Sequence, residues 1–122
     1  MHIFSKAQVS SPIITDHGEI IYELLGRNFA EKTELHSVAY VVLPPGKSSL
    51  LHSHPAAEES YFILKGTARI RVGMEESMAA AGSVILIPPR KPHKIINVGE
   101  AELEFLATCV PAWEPENTVL LE

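Results

Sequence analysis

Four residues stand out by type and spacing: His52, His54, Glu59 and His93. The first three lie in GKSSLLHSHPAAEESYFILKG, running from Gly46 to Gly66, where two histidines one residue apart precede a pair of glutamates and an apolar run. Side chains alternate faces along a strand, so His52 and His54 point the same way, as do Glu59, Tyr61 and Ile63 on the next run. Two adjacent strands would then aim three donor atoms at one point. His93 follows a proline turn in GSVILIPPRKPHKIIN, with Ile95 and Asn97 on its face, and is the candidate fourth donor. Three imidazoles and one carboxylate suit a divalent first-row transition ion (Fe, Mn, Zn, Ni, Co or Cu) and can leave coordination positions open. Such an ion polarises a carbonyl, lowers the pKa of bound water, or holds oxygen beside a chelating substrate.

Other polar residues fit ordinary roles. Glu58 falls on the face opposite Tyr61 and is expected in solvent. His2, His17 and His36 have no partner at ligand spacing and are expected at surface or satisfied positions. Arg69 and Arg71 alternate with Ala68, Ile70 and Val72, which puts them in solvent unless they line an interior as anchors for a carboxylate. Lys47 and Arg90 flank the mouth of such an interior and could steer an anion into it. Tyr61 shares the face of Glu59 and is a candidate catalytic residue, its hydroxyl able to orient a substrate or a metal-bound water. The single Cys109 cannot form an internal disulfide, and its alternating position in ELEFLATCV reads as a small buried hydrophobe.

The elements that must position these residues are short. Apolar alternation between glycine and proline breaks predicts strands over Glu19–Leu25, Leu35–Leu43, Ser48–His52, Glu59–Lys65, Thr67–Gly73, Val84–Ile87, His93–Val98 and Glu102–Val110. Pro44-Pro45-Gly46, Lys65-Gly66, Ala81-Gly82 and Pro88-Pro89 mark the turns. Ile21, Leu24 and Leu25 also share a helical face, but the segment is short and holds a β-branched pair, which favours strand. The tail VPAWEPE, from Val110 to Glu116, reads as an extended arm laying Trp113 over an open end of the body. Eight or so short strands commonly deal with their edges by closing into a barrel or jelly roll, which has an interior.

The whole chain agrees with this. Its 122 residues suit one domain, 1–122, and 46% hydrophobic against 20% charged residues is a globular balance. A net charge of −5 offers no basic field for nucleic acid and no cationic stretch for anionic lipid. No signal-like start and no long apolar run is present, so a cytoplasmic location is expected.

Gly46-x5-His52-x-His54-x4-Glu59-x6-Gly66 resembles the first signature of the cupins at every one of these positions. Gly82-x5-Pro88, then His93 and Asn97, resembles the second, so the motifs lie at 46–66 and 82–97. The second signature usually carries a glycine two residues after its proline, where this chain has Arg90, so the turn is expected to be made differently. The resemblance implies an all-β jelly-roll barrel, the double-stranded β-helix of the RmlC-like cupins, with a metal held by His52, His54, Glu59 and His93, and a homodimer. The family spans dioxygenases, isomerases, lyases, decarboxylases and ligand-storing proteins, and fold does not choose among them. The leading expectation is a metal-dependent enzyme acting on a small polar metabolite, sugar-derived or carboxylated, bound to the ion through two oxygens. The alternative is a module that binds or senses a small molecule without turnover. A metal-free barrel would leave inward histidines and a glutamate at heavy desolvation cost.

Overall fold

The computed structural model describes residues 1–28 and 32–122. Eleven strands follow in chain order among those residues: β1 (Ile13–Ile14), β2 (Ile20–Leu25), β3 (Ser37–Leu43), β4 (His52–Ser53), β5 (Glu58–Lys65), β6 (Thr67–Val72), β7 (Glu75–Ala80), β8 (Val84–Ile87), β9 (His93–Asn97), β10 (Leu103–Val110) and β11 (Val119–Leu120). They form two antiparallel sheets. One has six strands in the order β1-β2-β3-β10-β5-β8, the other five in the order β11-β4-β9-β6-β7. No helix among the described residues is long and apolar enough to cross a membrane.

The period-2 pattern explains how the sheets face each other. On β9, His93, Ile95 and Asn97 are buried and the residues between them are not. On β5 the inward set is Glu59, Tyr61 and Ile63, with Glu58 exposed as expected. Ala68 and Ile70 of β6 are buried while Arg69 is exposed and Arg71 half-buried, its Nε donating to the Gly73 carbonyl at 2.9 Å. Both arginines thus take the solvent option. The inward residues of the two sheets meet in one core, in which Leu43, Ile63, Ile95 and Leu103 have no exposed surface. Each such aliphatic side chain contributes about 1.5–3 kcal/mol by leaving water.

The expected strands recur with three differences. The span expected over Ser48–His52 pairs only at its ends, through a Ser48–Ile96 bridge and through β4. Between them Ser49 is pinned to Ile95 by two bonds, its N–H donating to the Ile95 carbonyl and its hydroxyl accepting the Ile95 N–H. The strand β7, EESMAA, escapes the pattern because it holds no β-branched or aromatic residue. It exists as the outer arm of a hairpin with β6, Val72 opposite Glu75 and Thr67 opposite Ala80. β1 and β11 are two residues long, below any detectable period.

The turn between β8 and β9 runs through Arg90, where the second signature usually carries a glycine. Arg90 takes φ +69°, the left-handed conformation that a glycine would adopt freely. Its N–H donates to the His54 carbonyl at 2.9 Å, which ties the turn to the histidine pair. A non-glycine residue there costs about 1–2 kcal/mol, partly offset by the entropy a glycine would lose. Arg90→Gly should therefore stabilise the fold by about 0.5–1 kcal/mol in urea unfolding; a loss of stability would show that the arginine is not strained.

Candidate metal centre

His52 and His93 face each other as register partners on β4 and β9, and His54 lies just beyond β4. Glu59 comes from the opposite sheet, where β5 sets it beside Ile87 of β8 and Cys109 of β10. The expectation that adjacent strands carry the donors is thus corrected: the four residues span the gap between two sheets, and the gap brings them together. One donor atom from each lies within 4.8 Å of the others. An ion held there would take bonds of about 2.1 Å to these groups.

Each imidazole is oriented by a main-chain carbonyl. Nδ1 of His52 donates to Leu50 at 2.7 Å, that of His93 to Lys91 at 2.9 Å, and that of His54 to Asn117 at 3.0 Å. A carbonyl only accepts, so each Nδ1 carries a proton and each ring turns its Nε2 inward. There the ring nitrogens meet the Glu59 carboxylate, with Oε1 at hydrogen-bond distance, 3.0 Å, from His93 Nε2 and 3.4 Å from His54 Nε2. His54 Nε2 is buried without a hydrogen-bond partner. Four convergent acceptors require positive charge among them, supplied by protons on the rings or by a cation.

Protons fit poorly. Burial, reinforced by the neighbouring His93, pulls His52 down to about 4. Burial also pulls at His54, but the Glu59 carboxylate and the Asn117 carbonyl outweigh it and hold that ring above its ordinary value. Glu59 is opposed by burial as well, yet His54, His93 and the Cys109 thiol keep its carboxyl well below the usual range and ionised. The orphaned nitrogen, the neutral His52 and the ionised carboxylate together form a donor set that fits a divalent transition ion.

Two supports lay outside the sequence patterns. The Cys109 thiol, buried as expected, donates to Glu59 Oε2 at 3.0 Å and so fixes the carboxylate that it faces. The tail does more than cover an opening. Trp113 is pinned by its N–H to Ser37 Oγ and by its indole N–H to Thr118 Oγ1, and the chain then returns so that Asn117 reaches His54. The Asn117 side chain secures this approach by accepting the Ala56 N–H at 2.9 Å. Asn117→Ala removes that hydrogen bond, costing about 0.5–1.5 kcal/mol, and should weaken metal affinity about 10–100-fold by loosening His54. Competition with a chromogenic chelator measures the second effect; unchanged affinity would mean that the arm does not set the ring.

A cavity of about 290 Å³ opens onto the cluster. His52, His54 and Glu59 line it, while His93 lies fully buried behind them. Ile21, Val41, Phe105 and Ala107 form an apolar wall, and Tyr61 is buried at its edge, its ring 4.8 Å from Phe105 and 6.0 Å from His93. Burial, then the charges of Glu59 and Glu19, push the Tyr61 hydroxyl well above 10, so it stays protonated and can donate. Neither Lys47 nor Arg90 is among the residues that line the cavity. His17 is satisfied, as expected, but by Glu19 and on the cavity wall. His36 is exposed and away from the site.

The model of the cupin domain matches residues 39–109, which hold all four clustered residues. This chain is a cupin. An uncharacterised protein of Methanocaldococcus jannaschii is 39% identical to this cupin over 91% of the chain and 88% of its own length. An oxalate-binding protein of Thermotoga maritima is 36% identical over 59% of the chain and 60% of its own length. Among solved structures, that of a predicted oxalate decarboxylase from Thermotoga maritima superposes on the cupin with a TM-score of 0.78 at 27% identity, covering 90% of this chain and 99% of that one.

Proposed function

We propose that this cupin is a metal-dependent enzyme in which His52, His54, Glu59 and His93 hold a divalent transition ion, and in which a small metabolite docks on that ion through two oxygens from the cavity. The observation that carries the proposal is the set of three Nδ1–H groups committed to main-chain carbonyls, which leaves three Nε2 atoms and a carboxylate facing one point. An ion bound there supplies Lewis-acid polarisation of a carbonyl or carboxylate and lowers the pKa of a bound water. The residues of the chain do the rest. The apolar wall of Ile21, Val41 and Phe105 excludes water and holds the body of the ligand, and Tyr61 is placed to donate a hydrogen bond to an oxygen at the ion.

The likeness to an oxalate-binding protein and to a predicted oxalate decarboxylase supports a chelating, oxygen-rich ligand. The first of these also favours a second reading, a module that holds its ligand without turnover. Incubating the protein, loaded in turn with Mn, Fe, Co, Ni and Zn, with a panel of 2-hydroxy, 2-oxo and dicarboxylic acids separates the two. Product by mass spectrometry is expected with at least one pair. Ligand-induced stabilisation without product in every pair would establish the module and overturn the enzyme.

A further inference from the structure

The cavity has a second polar wall, opposite in composition to what a small dianion would need. The hairpin of β1 and β2 turns through Thr15–Glu19, braced by the Glu19 N–H donating to Thr15 Oγ1 at 2.9 Å and the Thr15 N–H donating to the Glu19 carbonyl at 3.0 Å. Alternation along β2 then sends Glu19, Ile21 and Glu23 to the cavity. His17 Nε2 donates to Glu19 Oε1 at 2.8 Å, while Glu19 Oε2 takes no hydrogen bond from any described residue. Burial holds the Glu19 carboxyl above its ordinary value, His17 opposes this, and the charge of Glu59 adds to it, so the two carboxylates feel each other inside one cavity.

Positive charge is scarce on this wall. Among the described residues lining the cavity, Arg27 is the one permanently charged cation, and it is already engaged. Its Nε donates to the Ala112 carbonyl at 3.2 Å and lies 3.6 Å from Glu114, and its Nη1 is 3.7 Å from Glu34. A small dianion at the cluster would therefore meet Glu19 and Glu23 with no free guanidinium or ammonium to offset them. It would also leave most of a 290 Å³ cavity, much of it apolar, unfilled.

We propose that the His17–Glu19 pair selects a ligand that carries a hydroxyl or other hydrogen-bond donor beside its chelating oxygens and an apolar body behind them, with Glu19 accepting the bond and His17 orienting Glu19. The inference rests on the reading of the cluster as a metal site that binds a chelating ligand. It goes further by naming the chemical class of that ligand and the residue that chooses it.

The test uses protein loaded with cobalt(II), whose visible spectrum reports direct binding to the ion, with calorimetry for affinities. The probes are 2-hydroxy-4-methylpentanoate and 4-methyl-2-oxopentanoate, equal in skeleton and chelate ring and different in one donor hydrogen. The 2-hydroxy acid should bind the wild type about tenfold tighter or more, the worth of one hydrogen bond to a charged acceptor. Glu19→Ala and the isosteric Glu19→Gln should keep their cobalt and narrow that preference to within about threefold. Equal affinities in the wild type, tighter binding of the 2-oxo acid, or a preference surviving in both variants would overturn the assignment of Glu19 while leaving the metal site standing. Protein that retains no cobalt, or a spectrum that neither acid perturbs, would end the underlying reading as well.

Discussion

Glu59→Gln leaves the protein folded and unable to hold its ion. The carboxylate is the one anion among the four convergent groups, and it is 6% exposed, so its charge acts on the centre with little screening by solvent. A glutamine of the same shape keeps an oxygen for the Cys109 thiol, now 3.0 Å from Oε2, and offers an amide N–H to the His93 Nε2 now 3.0 Å from Oε1. The substitution thereby meets, with a neutral donor, a requirement that a cation would meet in the wild type. The two proteins should respond oppositely to metal. With free ion about a thousandfold above its dissociation constant, the wild type gains about 4 kcal/mol, a rise of roughly 10 °C or more in melting temperature for a chain of this size. The variant, melted with the same ion and then with a chelator, should show one unfolding temperature. A metal-dependent rise in Glu59→Gln comparable to that of the wild type would remove Glu59 from the ligand set.

The next largest effect is expected at Phe105, where the core and the cavity share one ring. Phe105 is 1% exposed, stands between Val41 of β3 and Ile63 of β5 in register, and packs its ring against Tyr61. Phe105→Ala removes that apolar surface from both sides of β10, and the rigid backbone of three paired strands cannot collapse into the space. The cost should be about 3–5 kcal/mol, a large share of the roughly 5–15 kcal/mol that keeps a domain folded. Phe105→Leu, closer in volume, should cost about 1.5 kcal/mol or less. Urea unfolding of the two variants measures the difference. A loss below about 1 kcal/mol for the alanine variant would show that the ring is not a shared wall.

The sequence was most legible where a local pattern is sufficient. Alternation along β5 sorts Glu59 from Glu58, and the interval from Gly46 to Gly66 places both histidines on one face. Glycine and proline breaks mark nearly every hairpin. What could not be read was set by pairing across distance. That β4 and β5 lie in opposite sheets depends on the crossing between His54 and Glu58, which leaves no periodic trace. The thiol of Cys109 is placed inward by alternation, but its meeting with Glu59 follows from the register of β10 on β5, fifty residues away in the chain. Asn117 reaches His54 across 63 residues, and no spacing rule connects them. His17 and Glu19 lay in plain view as DHGE, but only the cavity behind them gives the pair a purpose. Arg90 is a related case: the missing glycine drew attention to the turn, but its left-handed backbone and its bond to the His54 carbonyl follow from tertiary contacts that no local pattern shows.

The three rings are aimed by peptide carbonyls, those of Leu50, Lys91 and Asn117, and this has an evolutionary consequence. Replacing the side chain of Leu50 or Lys91 leaves the oxygen where it was, so point changes at these positions are invisible to the imidazoles. Insertions and deletions are not. One residue gained between Leu50 and His52, or between Lys91 and His93, displaces the acceptor from its ring and reverses the face on which the histidine falls. Descendants of this chain can thus drift far in composition around the centre while the count of residues on either side of it stays fixed.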